Sequence, residues 1–307
     1  MVGKIGLVGA GAVGSYYGLM LKKAGVDVRF LLRSNYEDVK SDGFTLVHHR
    51  PEKKSEKIYN LKIYKDAQEI GICDWVIIAC KSTVNQDIAD IISPMVDSDT
   101  ALLSLQNGMG NVENLTDSFG NDRDVVGGLC FTCINRTTPN SIESLLAGYV
   151  QFGQLGKVLS SRTNAMVDVF QQAGIQVKRS DSLDEALWKK LCWNIPFNGL
   201  SIAGGGITTD LILSNRKLRH RAKVLMKEIQ SAAKEYGILI EDTFLERQFS
   251  LTEPMGAYKP SSLIDFLDGK PVEIDSIWGE PLRRGQKKVV LMPELETLYS
   301  ELKQVSR

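Results

Sequence analysis

The sequence predicts an α/β protein in which an N-terminal, doubly wound and mostly parallel sheet is followed by a C-terminal all-helical domain. In the first third of the chain, short apolar segments alternate with segments of helical periodicity, as they do in β-α-β units. Residues 75–80 are continuously apolar, which is typical of a strand buried on both faces of a parallel sheet. After about residue 180 helical patterns predominate. The predicted domains are therefore residues 1–181 and 182–307.

The composition is that of a globular chain and excludes several classes of protein. The 307 residues exceed what one hydrophobic core usually supports, and 43% of them are hydrophobic and 24% charged. Lys+Arg and Asp+Glu both number 37, so no basic field exists to hold nucleic acid or an anionic membrane. Without an apolar run of ~20 residues no membrane span is predicted, and we expect a cytoplasmic protein.

The cysteines and histidines indicate neither a disulfide framework nor a metal site. The five cysteines are odd in number and sparse, and the three histidines lack the spacing of zinc ligands. Cys130 and Cys133 form a C-x-x-C motif within a predicted strand over 125–135. Their odd separation would place the two side chains on opposite faces of that strand, whereas the alternative, a redox or metal pair, needs both sulfur atoms together.

Periodicity and helix-ending residues predict the individual elements. Strands are expected over 4–8, 27–32, 75–80, 101–106, 125–135, 149–154 and 175–178, and helices over 12–24, 164–172, 183–202 and 214–236, with a last helix from residue 293. Gly25 and Gly237 would end two of these helices, and Pro293 would open the last one.

A glycine-rich turn directly follows the first predicted strand and opens the first helix. The turn has the pattern G-x-G-x-x-G and consists of Gly9, Ala10, Gly11, Ala12, Val13 and Gly14. The first glycine allows a tight turn, the second lets the backbone approach a pyrophosphate, and the third lets the helix pack on the sheet. The helix N-terminus would supply N–H groups for the phosphates. A purely structural turn is the alternative, but the strand–turn–helix context indicates a Rossmann-like dinucleotide-binding domain.

The residue after the second strand predicts which dinucleotide binds. An enzyme that uses NAD places Asp or Glu about 20 residues after the glycines, where it binds the ribose 2′-hydroxyl. This chain instead has Arg33, followed by Ser34 and Asn35. A guanidinium group at this place would pair with a 2′-phosphate and stack on adenine, so NADPH is favoured. The alternative is a solvated arginine.

Two further polar segments follow predicted strands. Lys81 comes after the strand at 75–80, and Asn107 comes after the strand at 101–106. In an open parallel sheet, ligands lie beyond the carboxyl ends of the strands. Both residues are therefore candidates for ligand contact, although either segment could be an ordinary loop.

A helix in the second domain carries three regularly spaced polar residues. Lys190, Asn194 and Asn198 are four residues apart and therefore line one face of this helix. Asparagine is a poor residue for a helix interior, so two of them beside a lysine suggest a polar pocket. An exposed face is the alternative, but the surrounding tryptophan, leucine, isoleucine and phenylalanine residues make the segment too apolar for the surface.

With these motifs, the chain resembles the ketopantoate reductase (2-dehydropantoate 2-reductase) family almost from end to end. The glycine turn with its Arg33, the K-S-T at 81–83, the Q-N-G-M-G at 106–110 and the K-x-x-x-N-x-x-x-N helix carry the resemblance. A distal segment, with K-P-S-S-L-I-D at 259–265 and V-E-I-D at 272–275, adds to it. The resemblance implies NADPH as the cofactor and reduction of 2-dehydropantoate to (R)-pantoate, within pantothenate and coenzyme A biosynthesis.

The resemblance also implies a role for individual residues. Lys190 would be the general acid, and Glu273 would bind the substrate hydroxyl and hold the lysine in place. Lys81 would contact the cofactor side of the site, where Asn107 and Glu273 would also reach the cofactor. The residues that would hydrogen-bond the substrate are Asn107, Asn194, Asn198 and Ser261.

The sequence departs from the family pattern in two places. Gly199 follows Asn198, where family members usually have proline, and a proline occurs earlier, at Pro196. Val84 replaces a glutamine often found three residues after the cofactor-side lysine. Neither change removes a group that transfers protons, but both could reshape the pocket. Cys192, beside the polar stripe, is interpreted as a packing residue.

The chemical requirements of the reaction agree with this reading, and two competing hypotheses stand beside it. Reduction of a 2-oxo acid needs a hydride donor, a cation for the carboxylate and an acid for the developing alkoxide, and a protonated lysine can be that acid. The first competing hypothesis is a related NADPH-dependent reductase of another 2-oxo acid. The second is a non-catalytic dinucleotide-binding sensor, which would be indifferent to Lys190 and Glu273. The expected partner is a small-molecule substrate, and the chain would be a monomer or a homodimer.

Overall fold

The computed structural model describes residues 2–305 and divides into two compact units. The first unit comprises residues 2–106 and 111–183, and the second comprises residues 107–110 and 184–305. The domain boundary expected from the sequence, between 181 and 182, is close to residue 183, where the first unit ends. The segment 107–110 lies in the second unit although it follows residue 106 of the first unit in sequence.

One sheet forms the centre of the first unit. Its ten strands are β1 (Lys4–Val8), β2 (Asp27–Leu31), β3 (Phe44–His48), β4 (Lys54–Ile58), β5 (Lys62–Tyr64), β6 (Trp75–Ile78), β7 (Ala101–Ser104), β8 (Val125–Thr138), β9 (Ser141–Gln154) and β10 (Val177–Arg179). Their order is β4-β3-β9-β8-β7-β6-β1-β2-β5, and β10 pairs with β9. Only the β3–β4 and β8–β9 pairs are antiparallel in the described part of this sheet. The predicted mostly parallel sheet is confirmed.

The helices of the first unit pack on this sheet. They are α1 (Ala12–Lys23), α2 (Tyr36–Asp42), α3 (Ala67–Ile70), α4 (Ile88–Ile92), α5 (Asn111–Phe119) and α6 (Ser161–Gln172), with 3₁₀ turns at Ser82–Val84 and Ser93–Met95. The α1 helix approaches the sheet closely, since a Cβ atom on Gly18 would lie 2.6 Å from a ring carbon of Phe30. The helix ends at Lys23, and Gly25 follows with a φ of +84°, as its sequence predicts.

Four parallel strands end along one edge of the sheet. β1 lies between β2 and β6, and β7 lies beside β6, with the last residues of neighbouring strands paired with each other. Their last residues are Val8, Leu31, Ile78 and Ser104. The segments that follow them, including the glycine turn, therefore begin at the same edge of the first unit.

The structure contains strands that the sequence did not predict. β3, β4 and β5, which fill the region between α2 and α3, were not predicted, whereas β8 and β9 contain the predicted strands at 125–135 and 149–154 and extend each of them to 14 residues. Much of β4 is exposed and the middle of β9 is exposed at 145–147, so neither segment has a strong apolar pattern. Pairing with a neighbouring strand, rather than local composition, makes these segments strands.

The second unit is all-helical over the residues that the structure describes, as predicted. Its helices are α7 (Leu183–Ala203), which starts at the boundary, α8 (Thr209–Ser214), α9 (Arg216–Lys234), α10 (Asp242–Thr252), α11 (Ser261–Leu267), α12 (Glu280–Lys287) and α13 (Pro293–Val305). A 3₁₀ turn at Glu253–Met255 and a π-helical turn at Asp275–Gly279 complete it. The Glu228 carboxylate of α9 accepts the N–H groups of Glu294 and Leu295 at 2.8 Å each, which caps the first turn of α13.

Candidate active site

The glycine turn after β1 has the geometry of a phosphate-binding loop. Gly9 has a φ of +92°, and a Cβ atom there would lie 2.1 Å from the backbone nitrogen of Cys80. A Cβ atom on Gly14 would lie 2.2 Å from the Gly9 carbonyl oxygen. A Cβ atom on Gly11, in contrast, would meet no atom within 4 Å. The first and third glycines therefore close the turn, and the second leaves open space for a ligand.

The start of α1 can bind an anion at this space. Gly11 is the N-cap residue, and no side chain accepts a hydrogen bond there, while its own carbonyl accepts the N–H of Ser15 at 3.1 Å. The N–H groups of Ala12 and Val13 belong to the first helical turn, which has no intrahelical acceptors for them. With the positive end of the helix dipole, these groups suit a phosphate. The residues present therefore fit the pyrophosphate of a dinucleotide.

Two cationic residues follow the strands on either side of β1, which are β2 and β6. Arg33 is exposed after β2 and forms no ion pair within residues 2–305. Lys81 is half-buried after β6 and precedes the Ser82–Val84 turn, and its carbonyl accepts the N–H of Val84 at 3.2 Å. Both positions agree with the side of the sheet expected for a ligand.

A chain of amide side chains in the first unit was not predicted from the sequence. The Gln106 Nε2 donates to Asn85 Oδ1 at 2.8 Å, and the Asn85 Nδ2 donates to Asn111 Oδ1 at 2.7 Å. The Nδ2 of Asn114 also donates to the Asn85 carbonyl at 3.0 Å. These bonds fix the loop after β6 to the start of α5. The available signal was Gln106 at the end of a mostly apolar segment, because a buried glutamine side chain requires hydrogen-bond partners.

In the second unit, the candidate acid lies beside an amide from a distant part of the chain. The Lys190 Nζ donates to the Asn107 Oδ1 at 3.0 Å, across 83 positions of sequence. Lys190 lies on α7 and is half-buried, as is Asn107. This hydrogen bond restricts the rotamer of the lysine, which suits it to donate a proton at a defined point.

The segment 107–110 is held against the turn that follows Glu273. The Met109 N–H donates to the Ser276 carbonyl oxygen at 2.8 Å, and a Cβ atom on Gly108 would lie 2.4 Å from that oxygen. Glu273 is 5% exposed and lies just before the π-helical turn. Such turns are frequent at functional sites. The hydrogen bond between Met109 and Ser276 thus joins the Asn107 loop to the segment that carries the buried Glu273 carboxylate.

The other predicted site residues occupy different environments on α7 and α11. Asn198 is buried, and its Oδ1 accepts the Ser262 N–H at 3.0 Å, so this oxygen helps to position the start of α11. Ser261 is exposed at that helix start. Asn194 is half-buried, one turn after Lys190. The structure therefore gives Asn198 a structural hydrogen bond that the sequence did not indicate.

The departure at Gly199 has a packing reason. A Cβ atom there would lie 2.8 Å from the indole nitrogen of Trp278 and 2.7 Å from a methyl carbon of Leu298. That indole nitrogen donates to the Ile195 carbonyl at 3.0 Å. The small residue therefore admits a tryptophan that ties the π-helical turn to α7, and the α7 helix continues through Pro196.

The Cys192 thiol is part of the packed interior of α7. The residue is fully buried, and this burial raises the pKa of its thiol to about 12. A thiol in such surroundings is not a nucleophile at neutral pH. The structure therefore supports the interpretation of Cys192 as a packing residue.

A metal site and a membrane span each have their own structural requirements. Among residues 2–305, no three or more His, Cys, Asp or Glu side chains come together in a way that could hold a metal ion. Within the same residues, no helix combines the length and apolarity needed to cross a membrane.

A phosphate-binding turn on a parallel sheet and a lysine–amide pair in an all-helical unit define a class, the dinucleotide-dependent oxidoreductases. The family model described as ketopantoate reductase PanE/ApbA matches residues 5–157, and the model of the C-terminal part of the same family matches residues 182–306. The chain therefore belongs to the ketopantoate reductase family and is an oxidoreductase.

Individual relatives agree with this assignment. The 2-dehydropantoate 2-reductase of Nostoc sp. is 35% identical over 305 residues, which cover 98% of this chain and 94% of the relative. The crystal structure of 2-dehydropantoate 2-reductase from Geobacter metallireducens is similar with a TM-score of 0.93 and 36% identity, covering 98% of this chain and 99% of that one. D-mandelate dehydrogenase in complex with NADH and anilino(oxo)acetate has a TM-score of 0.88 at 22% identity, covering 99% of this chain and 98% of that one, and shares the fold.

Proposed function

We propose that this protein catalyses the NADPH-dependent reduction of 2-dehydropantoate to (R)-pantoate, a step of pantothenate and coenzyme A biosynthesis. The observation that carries the proposal is the hydrogen bond of 3.0 Å between Lys190 and Asn107. The bond joins two motifs of the ketopantoate reductase family, and it orients a cation beside an amide, a combination that can bind and protonate a 2-oxo acid. Membership of the family supports the same substrate.

The proposed acid is the Lys190 ammonium group. The reduced nicotinamide, when bound, supplies the hydride for the carbonyl carbon of the substrate. As the carbonyl oxygen gains negative charge, the positive charge of Lys190 stabilises it, and the ammonium group then transfers a proton to this oxygen. Lysine side chains are protonated at neutral pH, and an alkoxide is far more basic than an amine, so the transfer is favourable. Asn107 keeps the ammonium group in place.

The remaining polar residues would position the substrate. We assign Glu273 to the substrate hydroxyl, which a plain 2-oxo acid lacks. Asn194 and Ser261 would bind the carboxylate or carbonyl. Asn198 would contribute its amide nitrogen, since its oxygen is occupied by the Ser262 N–H at 3.0 Å. These roles make the hydroxylated substrate the preferred one.

The first unit would hold NADPH. We assign the pyrophosphate to the space at Gly11 and the first turn of α1, where a Cβ atom would meet nothing within 4 Å. Arg33, exposed after β2, would pair with the 2′-phosphate, because a guanidinium group binds a phosphate through two parallel hydrogen bonds. Lys81 would contact the nicotinamide side of the cofactor.

A second candidate is reduction of another 2-oxo acid with the same cofactor. The observation that favours it is Gly199, whose small size admits the Trp278 indole beside the Ile195 carbonyl. Such a change next to Asn198 would alter the substrate pocket. The shared fold of D-mandelate dehydrogenase is consistent with this alternative.

The test is an assay of NADPH oxidation with a panel of acids. We expect rapid oxidation with 2-dehydropantoate, little with pyruvate or 2-oxoisovalerate, and little with NADH in place of NADPH. Preference for another acid would replace the first candidate by the second. Tight NADPH binding with no oxidation by any acid would instead indicate a sensor and would contradict both reductase candidates.

A further inference from the structure

Arg136 reaches the glycine turn from a distant strand. It lies on β8 opposite Ile142 of β9, near the end of the hairpin that the two strands form. Its Nη1 donates to the Ala10 carbonyl oxygen at 3.3 Å, across 126 positions of sequence. Ala10 directly precedes Gly11, the residue beside which the turn leaves open space. The guanidinium group is therefore adjacent to the place where a phosphate fits.

The charge of this arginine has no counter-ion among the residues that the structure describes. Arg136 is half-buried, yet within residues 2–305 no carboxylate forms an ion pair with it. The nearest acidic residue on the paired strand, Glu143, is engaged with the His49 ring at 3.0 Å. A guanidinium group has five N–H donors, and the bond to Ala10 uses one of them. A partly desolvated cation with donors to spare is suited to an anionic ligand.

The hairpin that carries Arg136 is fixed next to the loop after β2. The Asn35 Nδ2 donates to the Pro139 carbonyl at 3.1 Å, and the Asn140 Nδ2 donates to the Gly43 carbonyl at 3.1 Å. Asn35 is buried and lies two positions after Arg33. The hairpin therefore connects the loop of Arg33 with the glycine turn, and Arg136 lies on the connecting strand.

We propose that Arg136 is a phosphate-binding residue of the dinucleotide site, acting as a second cation beside Arg33. The inference rests on the proposed function only in that a dinucleotide binds at Gly11. A guanidinium group can donate hydrogen bonds to either the pyrophosphate or the 2′-phosphate of the cofactor. Arg136 touches the glycine turn, where the pyrophosphate is expected, and its hairpin touches the loop where the 2′-phosphate is expected.

The test measures binding of NADPH and NADH to Arg136→Gln, Arg136→Lys and the wild-type protein by titration of cofactor fluorescence. The glutamine side chain keeps a donor for the Ala10 carbonyl but removes the charge. We expect Arg136→Gln to weaken NADPH binding about 10- to 100-fold, the loss typical of a charged hydrogen bond. The NADPH affinity of Arg136→Lys should lie between those of Arg136→Gln and the wild type. The difference from wild type should shrink at high salt, as it does for partly exposed charges.

The matched control is Arg162→Gln. Arg162 belongs to the same unit and also donates to backbone carbonyls, those of Asp74 and Asp99, but these precede β6 and β7 at the opposite ends of the strands. We expect its NADPH affinity to equal that of the wild type. Thermal unfolding of each variant checks that the fold is kept, since a merely structural role of Arg136 would lower Tm and leave the salt dependence unchanged.

The outcomes separate the sources of the phosphate. Loss of affinity for NADPH alone supports Arg136 at the 2′-phosphate, and an equal loss for both cofactors supports it at the pyrophosphate. Unchanged affinity for both in a protein that binds NADPH overturns the inference and leaves the proposed function intact. Wild-type protein that binds neither cofactor overturns both. Binding that depends on Arg136 without turnover supports the inference and contradicts only the reductase.

Discussion

The Lys190 Nζ lies 3.0 Å from the Asn107 Oδ1, although the two residues are 83 positions apart in sequence. Asn107 follows a strand of the first unit, yet the segment 107–110 packs within the second unit, against Ser276. The Asn107 amide therefore holds the Lys190 side chain from a distant part of the chain. This pair is the basis of the proposed acid and of the first prediction.

Removing the Lys190 charge should abolish most catalysis while cofactor binding persists. We expect Lys190→Gln to lower kcat ~10²–10⁴-fold, because the developing alkoxide loses its proton donor and its electrostatic stabilisation. Steady-state kinetics with NADPH and 2-dehydropantoate measure this, with cofactor titration alongside. The matched control is Lys189→Gln, whose lysine pairs with Glu185 one turn earlier and should keep nearly full turnover. Equal activity in the two variants would exclude Lys190 as the acid.

Arg33 should discriminate between the two cofactors. We expect Arg33→Gln to weaken NADPH binding by about tenfold or more and to leave NADH binding unchanged, because only NADPH carries the 2′-phosphate. Fluorescence titration with both cofactors measures the ratio. Lys40→Gln, which removes another exposed cation from the following helix, is the control for a general charge effect. A similar loss for both cofactors in Arg33→Gln would contradict the assignment.

Gly199 should tolerate no larger residue. We expect Gly199→Ala to destabilise the protein by about 1–3 kcal/mol, the usual cost of overpacking, since the new methyl group would lie within 2.8 Å of Trp278 and Leu298 atoms. Denaturant unfolding measures the change in free energy. Unchanged stability would show that the tryptophan and leucine can move aside.

Ser201, two positions later on the same helix, should respond in the opposite direction. Its hydroxyl is buried, and within residues 2–305 it has no hydrogen-bond partner. Ser201→Ala removes this unsatisfied group, so we expect a change between zero and about 1 kcal/mol of stabilisation. The same unfolding measurement serves as the comparison for Gly199→Ala. A clear destabilisation would mean that the hydroxyl has a partner, such as a bound water.

The Cys192 thiol should be inert in the native protein. With a pKa of about 12, only about one thiol in ten thousand is ionised at about pH 8, and burial blocks access as well. We expect iodoacetamide and mass spectrometry to show no label on native Cys192 and full labelling after denaturation. In the unfolded chain the thiol ionises near its ordinary pKa of ~8.5, whereas in the folded protein its pKa is about 12. The free energy of unfolding should therefore fall as the pH rises between these two pKa values. Rapid native labelling would contradict the packing role.

The sequence alone determined those features that depend on local pattern. The glycine turn was predictable because its spacing is a requirement of the backbone, as the φ of +92° at Gly9 and the close contact at Gly14 confirm. The β1 strand and the α1 and α7 helices followed from periodicity, to within one or two residues at their ends. The exposed β4 strand did not, because its pairing with β3 arises from tertiary structure.

The tertiary structure decided which of these residues meet. Lys190, Asn194 and Asn198 share a helix face by spacing alone, yet the contact of Lys190 with Asn107 and the use of the Asn198 oxygen by Ser262 depend on how distant segments pack. The hydrogen bond between Arg136 and Ala10 likewise joins residues that are 126 positions apart, so it depends on where the sheet places β8. Sequence spacing specifies backbone conformation over a few residues, whereas side-chain contacts between distant segments are set by the packing of the whole unit.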